Sequence, residues 1–328
     1  MARLCPSRLL VLLLLVGAAP TVAAPAAGDT APPGRESDRL FLWKVTPKAG
    51  KNFVYLLGSV HAATPDLYPL PREIDDAFLQ CQVLAVEVDL AAQDQEGLLQ
   101  LLLDKGVYGD NDSLERHLPR ATYERVCKYG SANGLPAVLT DRLRPWALTV
   151  VVTMLEAQKA GLKPKLGIDQ HFIDLAREFT GKDRKDVVEL ESADEQLNLL
   201  SSFPDRQQAD FLDATLEAAG TTKQAVTKIM EAWKAGDADA MHQLTAADPV
   251  KKRPGLKPVF QKLVDDRNVT MAKKVEGYLK SRRAHFVVVG AGHLSGKNSI
   301  PNLLAKRGYR VEQVRRKPVA AEPEPAVR

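Results

Sequence analysis

Two short apolar runs, one near each end of the chain, close on the same Gly-x-x-His pattern. Phe53-Val54-Tyr55-Leu56-Leu57 ends in Gly58-Ser59-Val60-His61, and Phe286-Val287-Val288-Val289 ends in Gly290-Ala291-Gly292-His293. Runs of this length, rich in β-branched and aromatic residues and stopped by glycine, read as buried strands. Two histidines are therefore expected just past two strand ends. In open α/β sheets the crevice outside the carboxyl ends of the strands is where ligands bind. A fold that brings both ends to one edge sets two imidazoles over the same crevice, which points to a metal. Gly58 and Gly290 are expected to allow a sharp exit from the strand, a positive φ included.

The rest of the pattern places strands at both ends and helices in the middle. Residues 41–45 pair with 53–57 as a hairpin with a long loop, and 83–88 form the next strand, whose apolar run ends in Glu87 and Asp89. Helical periodicity marks 95–103, 120–131, 141–160, 168–179 and 267–282. A short strand is expected over 185–189 and a last one over 309–314. The expected fold is α/β (α+β): a single domain over 39–316, with a mixed central sheet built from N- and C-terminal strands. A large helical middle covers one side, and about 204–250 read as an all-helical insert.

The flanks read differently. A basic start, an uncharged stretch from Leu9 to Ala19 and an Ala-rich exit make 1–24 a secretory signal peptide, cut between Ala23 and Ala27. The apolar stretch is shorter than the roughly 20 residues a bilayer span needs. Residues 25–38 form a flexible leader and 317–328 a disordered tail. The protein is expected to be periplasmic or secreted, without stable membrane insertion after cleavage. The +4 net charge is accounted for by the leading segment and the tail, so the folded part is near neutral. That argues against a nucleic-acid footprint. Cys81 and Cys127 are too few for a disulfide framework and read as buried free thiols.

A catalytic metal typically has three protein ligands and one open position. His61 and His293 supply two, and Glu87 at a strand end is the third ligand or the base for a water. Asp169 either caps the helix that follows it or orients a histidine from behind. Glu191 either faces the same crevice or lies in a solvated loop. His117, His171, His242 and His285 read as ordinary turn, helix or surface histidines. Gly292 to Ser299 lacks phosphate-loop spacing, and neither a Gly-x-Ser-x-Gly elbow nor a His-Glu-x-x-His helix is present.

Taken in order, several segments resemble the TraB/GumN (TraB/PrgY/TIKI) family, which includes pheromone-shutdown proteins and the TIKI metalloproteases that clip Wnt proteins. They are Leu56 to His61, Leu84 to Asp89, Gly167-Ile168-Asp169, Leu190-Glu191-Ser192, Arg267-Asn268 and Val289 to Leu294. The resemblance runs from Leu40 to about Val314. It implies a fold like that of the erythromycin-esterase and haem-uptake ChaN proteins. It also implies a metal-dependent hydrolase in which His61, His293 and Glu87 are required. Arg267 is expected to serve as an oxyanion or substrate-carboxylate partner through its fixed donor fork. Against the animal proteases, the Ala/Pro/Glu tail after Lys317 is expected to stand where they carry a C-terminal membrane segment.

The reading that follows is a metalloprotease- or amidase-like hydrolase acting on a peptide or small-molecule substrate. Two histidines and a carboxylate suit Mn, Co, Zn or Fe. The alternative is a non-catalytic periplasmic protein that sequesters a peptide, haem or metal. Oligomeric state is not readable.

Overall fold

A computed structural model describes residues 38–90 and 92–317. The signal-peptide expectation for 1–24, nearly all of the leader at 25–38 and nearly all of the tail at 317–328 lie outside the described residues. The described chain is a mixed α/β domain around one six-stranded sheet, ordered β4-β3-β5-β2-β1-β6. The strands are β1 (Arg39–Thr46), β2 (Val54–Ser59), β3 (Val83–Val86), β4 (Asp186–Glu189), β5 (His285–Gly290) and β6 (Arg310–Arg315).

β1 and β2 form the expected antiparallel hairpin, and β6 adds antiparallel to β1. From β2 inward the sheet is parallel: β2 pairs with β5, β5 with β3, and β3 with β4. Strands β2, β3 and β5 are buried along their whole length. That explains their unbroken Val/Leu/Ala/Phe character, since a parallel strand covered on both faces has no solvent side to alternate toward.

The helices cover the sheet through large side chains. Phe78 from the Arg72–Leu79 helix, Phe172 from the Ile168–Glu178 helix and Phe286 of β5 form an aromatic cluster with centroids 4.9–5.5 Å apart. Met271, Ala272 and Val275 of the Arg267–Lys280 helix enter the same core. The stretch 204–250 does not stand apart from it. Trp233 of the Thr222–Lys234 helix is buried there and donates its indole N–H to the Gly58 carbonyl at 2.7 Å. A second core joins Trp146, Leu197, Phe211 and Phe260 in the helical middle.

Two expectations are corrected. Both described cysteines are free, but only Cys81 is buried; Cys127 is exposed. The glycines also act differently from the turn chemistry expected of them. Gly58 lies inside β2, opposite Val289, and neither it nor Gly290 is among the glycines with positive φ. Their role is space. A side chain on Gly58 would run into the Phe41 ring, and one on Gly290 would sit 2.9 Å from His61 Nε2.

Candidate metal centre

The parallel register decides where the site falls. Ser59 of β2 pairs with Gly290 of β5, and Val86 of β3 pairs with Val288. Three adjacent strands therefore end at the same edge. The chain at and beyond these ends delivers Glu87, His61 and His293, the last from a position more than two hundred residues along the chain from the other two. All three are buried, at 5 %, 3 % and 4 % exposure.

Each histidine is held through Nδ1. His61 Nδ1 lies 3.2 Å from Asp169 Oδ2. Asp169 is itself fixed, because Ser59 Oγ donates to its other oxygen at 2.8 Å and accepts from its backbone N–H at 3.2 Å. Asp169 sits in the first turn of its helix, whose N-cap is Gly167. Any side chain on Gly167 would strike the His61 backbone. His293 Nδ1 lies 2.6 Å from Asn268 Oδ1, and Asn268 spends its amide donor on the Asn298 carbonyl at 2.9 Å. That leaves Asn268 Oδ1 an acceptor, so His293 carries its proton on Nδ1. In both rings the Nε2 lone pair is then the free one. His61 Nε2 is buried without a hydrogen-bond partner. Metal-binding histidines characteristically have the second nitrogen fixed in this way.

Glu87 is turned mainly to other partners. Its Oε1 accepts from the Gly290 N–H at 2.6 Å, and its Oε2 accepts from Arg267 Nη2 at 2.6 Å. Oε1 also lies 3.7 Å from His293 Nε2. Arg267 in turn donates from Nε and Nη2 to Glu191 at 2.6–3.0 Å and from Nη1 to the Leu263 carbonyl at 2.9 Å. Glu191 is therefore not in a solvated loop; it anchors the guanidinium and accepts from Gln196 as well. Of the five N–H donors an arginine has, these partners leave only one on Nη1. The open donor fork expected of Arg267 is thus committed to the protein. Arg267 opens the Arg267–Lys280 helix directly after a π-helical segment, Gln261–Asp266.

Electrostatics follow from these contacts. Burial opposes charge on Glu87, but the neighbouring His293, Arg267 and His61 and the Gly290 N–H outweigh it and hold its pKa at about 2. Burial pushes His293 down to about 3, against the pull of Glu87. Burial also opposes charge on His61, but the carboxylate and hydrogen bond of Asp169 prevail and raise it. Two carboxylates, Glu87 and Glu191, share the Arg267 guanidinium, and a third, Asp169, stands behind His61. Two negative charges are left over when both imidazoles are neutral, a deficit that a divalent cation would cancel.

The two imidazoles thus fit a divalent cation by donor chemistry, by an orphaned buried nitrogen and by local charge. The complete three-donor set expected from the sequence is not assembled. Among the described residues no group of three or more His, Cys, Asp or Glu side chains is arranged to hold a metal ion. Each Glu87 oxygen accepts one hydrogen bond from the protein, from Gly290 and from Arg267, and keeps a second lone pair.

His61, His293 and Arg267 border a cavity of about 280 Å³ that runs outward between helices. Glu87 lies behind its wall. His242, read from the sequence as an ordinary helix residue, also lines it; its sequence neighbourhood carried no signal of this. Asn268 escaped the sequence reading as a site residue because a buried amide inside a helix has no distinguishing pattern. His117 is a structural residue, held by Asp112 and Asp205 and stacked on Tyr108. His285 opens β5 and stacks on Tyr278.

A mixed sheet whose carboxyl edge carries two buried, back-bonded histidines beside a cavity defines an α/β protein with a paired-imidazole site. The chain belongs to the TraB/PrgY/gumN family, whose model matches residues 41–313. It is 24 % identical over 255 residues to the uncharacterized protein YbaP of Escherichia coli (strain K12), covering 78 % of this chain and 89 % of that protein. It is 23 % identical over 329 residues to a metalloprotease TIKI homolog of Amphimedon queenslandica, covering 84 % of this chain and 61 % of that protein. A metalloprotease TIKI homolog of Nematostella vectensis is 24 % identical over 339 residues, 88 % of this chain and 69 % of that one. No solved structure matches.

Proposed function

We propose that the protein is a metal-dependent hydrolase of peptide or amide bonds, with His61 and His293 holding the cation through Nε2. One observation carries this reading. Two imidazoles have Nδ1 fixed by the protein, His61 Nε2 is buried without a partner, and both rings border Gly290 beside the Glu87 carboxylate. The metalloprotease name borne by two distant relatives agrees with it. Bound there, a divalent metal would polarise a carbonyl and acidify a water.

The chain's own groups would do the rest. Asp169 and Asn268 fix the tautomers. Glu87 stays ionised at any physiological pH, which suits a ligand oxygen and makes it a weak proton acceptor. Between the two roles open to it, we favour the ligand. Arg267 acts as a positioning residue that aims Glu87 and ties it to Glu191. The amino-terminal segment is the basis for placing the protein outside the cytoplasm, in a periplasm or secreted. No helix among the described residues is long and apolar enough to cross a membrane.

The test is elemental analysis of the wild type beside His61→Ala and His293→Ala, followed by a peptide-library cleavage screen with the metal found. About one metal per chain, lost in both variants, together with cleavage that a chelator stops, is the expected result. Metal binding without cleavage of any peptide, ester or amide would favour a sequestering protein. A wild type that takes up no Mn, Co, Zn or Fe would end the proposal.

A further inference from the structure

We propose that the cavity beyond the two histidines is a side-chain pocket selecting peptides with a large apolar residue next to the carbonyl presented to the site. The assignment of that carbonyl rests on the hydrolase reading; the pocket is argued from its walls. At its inner end stand His61, His293 and Arg267, and its flanks are formed by Leu200, Ile229, Met241, Val250, Phe260 and Val264. These come from separate helical segments that converge on one space. Its other charged lining groups, Lys257, Lys297 and Asp265, sit on exposed or half-exposed residues at the rim. An apolar wall reached by water gains by being covered, and away from the inner end a charged occupant would find no buried charged partner on it.

Two π-helical segments, Gln243–Ala247 and Gln261–Asp266, flank the same cavity. Thr245, Ala246 and Ala247 of the first and Leu263 and Val264 of the second line it. A π turn inserts one extra residue into a helix and recurs at functional sites. Two of them bulging toward one space is an independent sign of a shaped pocket.

Size admits such an occupant. A space of about 280 Å³ is enough for one bulky side chain with its adjoining backbone.

The test uses the metal-free mature chain, so that binding is read without turnover. Peptides of the form acetyl-Gly-Gly-Xaa-Gly-Gly-amide, with Xaa as Leu, Met, Phe, Ser, Asp or Lys, are titrated calorimetrically beside octanoyl-glycinamide. The Leu, Met and Phe peptides are expected to bind at least about 10-fold more tightly than the Ser and Asp peptides, a discrimination typical of apolar pockets. Val264→Phe and Thr245→Trp, at half-buried positions, should erase the preference at unchanged melting temperature. Equal binding of all six peptides would overturn the proposal. So would a preference intact in both variants, or binding of octanoyl-glycinamide alone. The same preference without cleavage by zinc-loaded protein would uphold the pocket and count against the hydrolase. Cleavage indifferent to Xaa would do the reverse.

Discussion

Asn268 Oδ1 meets His293 Nδ1 at 2.6 Å, one residue along the helix from the Arg267 guanidinium that meets Glu87 at 2.6 Å. One helix start therefore fixes two sides of the candidate site, an imidazole and a carboxylate. Asn268→Ala should release the His293 ring and lower metal affinity by about 10- to 100-fold. It should also destabilise the fold by about 1–3 kcal/mol through unpaired buried groups. Chelator competition and urea denaturation measure the two effects; unchanged affinity would remove Asn268 from the site.

Glu87→Gln replaces the acceptor of Arg267 Nη2 with a group that carries donors of its own. Breaking one side of a buried ion pair costs about 3 kcal/mol, softened here because Glu191 still holds the guanidinium. Arg267→Lys should be nearly as damaging, since an ammonium cannot span Glu87, Glu191 and the Leu263 carbonyl together. Urea unfolding of both variants tests this. Stability unchanged in Arg267→Lys would show that the bridging geometry contributes little.

Gly290→Ala separates site geometry from backbone conformation. Its φ of −50° suits any residue, so the added methyl acts only by crowding. It would stand 2.9 Å from His61 Nε2 and 3.3 Å from Glu87 Oε1. Overpacking of this kind costs about 1–3 kcal/mol. Metal uptake is expected to fall more than melting temperature does. An alanine variant that binds metal normally would show that the cation sits elsewhere.

Acid should destabilise the metal-free protein, beginning in the range of ordinary histidine. His293, held at about 3 in the fold, takes its proton near 6.5 when unfolded. The unfolded state therefore gains protons first, and stability falls as pH drops from about 6.5 toward 3. Glu87, held at about 2, adds a second loss below the ordinary carboxylate range. His61 is raised and works the other way, giving stability below about 6.5 that fades as pH rises through its folded pKa. Thermal melts of the metal-free protein from pH 8 to pH 4 should show a net decline, flattened in His293→Gln. An equal slope in both proteins would contradict the buried neutral imidazole.

Much of the fold was legible because local rules applied. The β-branched runs at 53–57, 83–88 and 286–289 became strands, and the repeated Gly-x-x-His phrase marked both strand ends. Glu191 stood out beside a strand end, Asp169 at a helix start and Arg267 through the family resemblance, though their partners did not. The use of Gly58 and Gly290 was misjudged because a glycine can serve a turn or a close approach, and only the neighbouring Phe41 ring and His61 Nε2 distinguish them.

The amino-acid order by itself determined the strands, the helical middle and the presence of two histidines behind apolar runs, since periodicity and side-chain shape are local properties. Tertiary structure alone decided that Ser59 pairs with Gly290, that Glu87 faces Arg267 and Gly290 more closely than the imidazoles, and that separate helices enclose an apolar space beside them. Those relations depend on strand pairing and packing between residues remote in sequence, and no local pattern encodes which distant carboxylate a buried guanidinium will find.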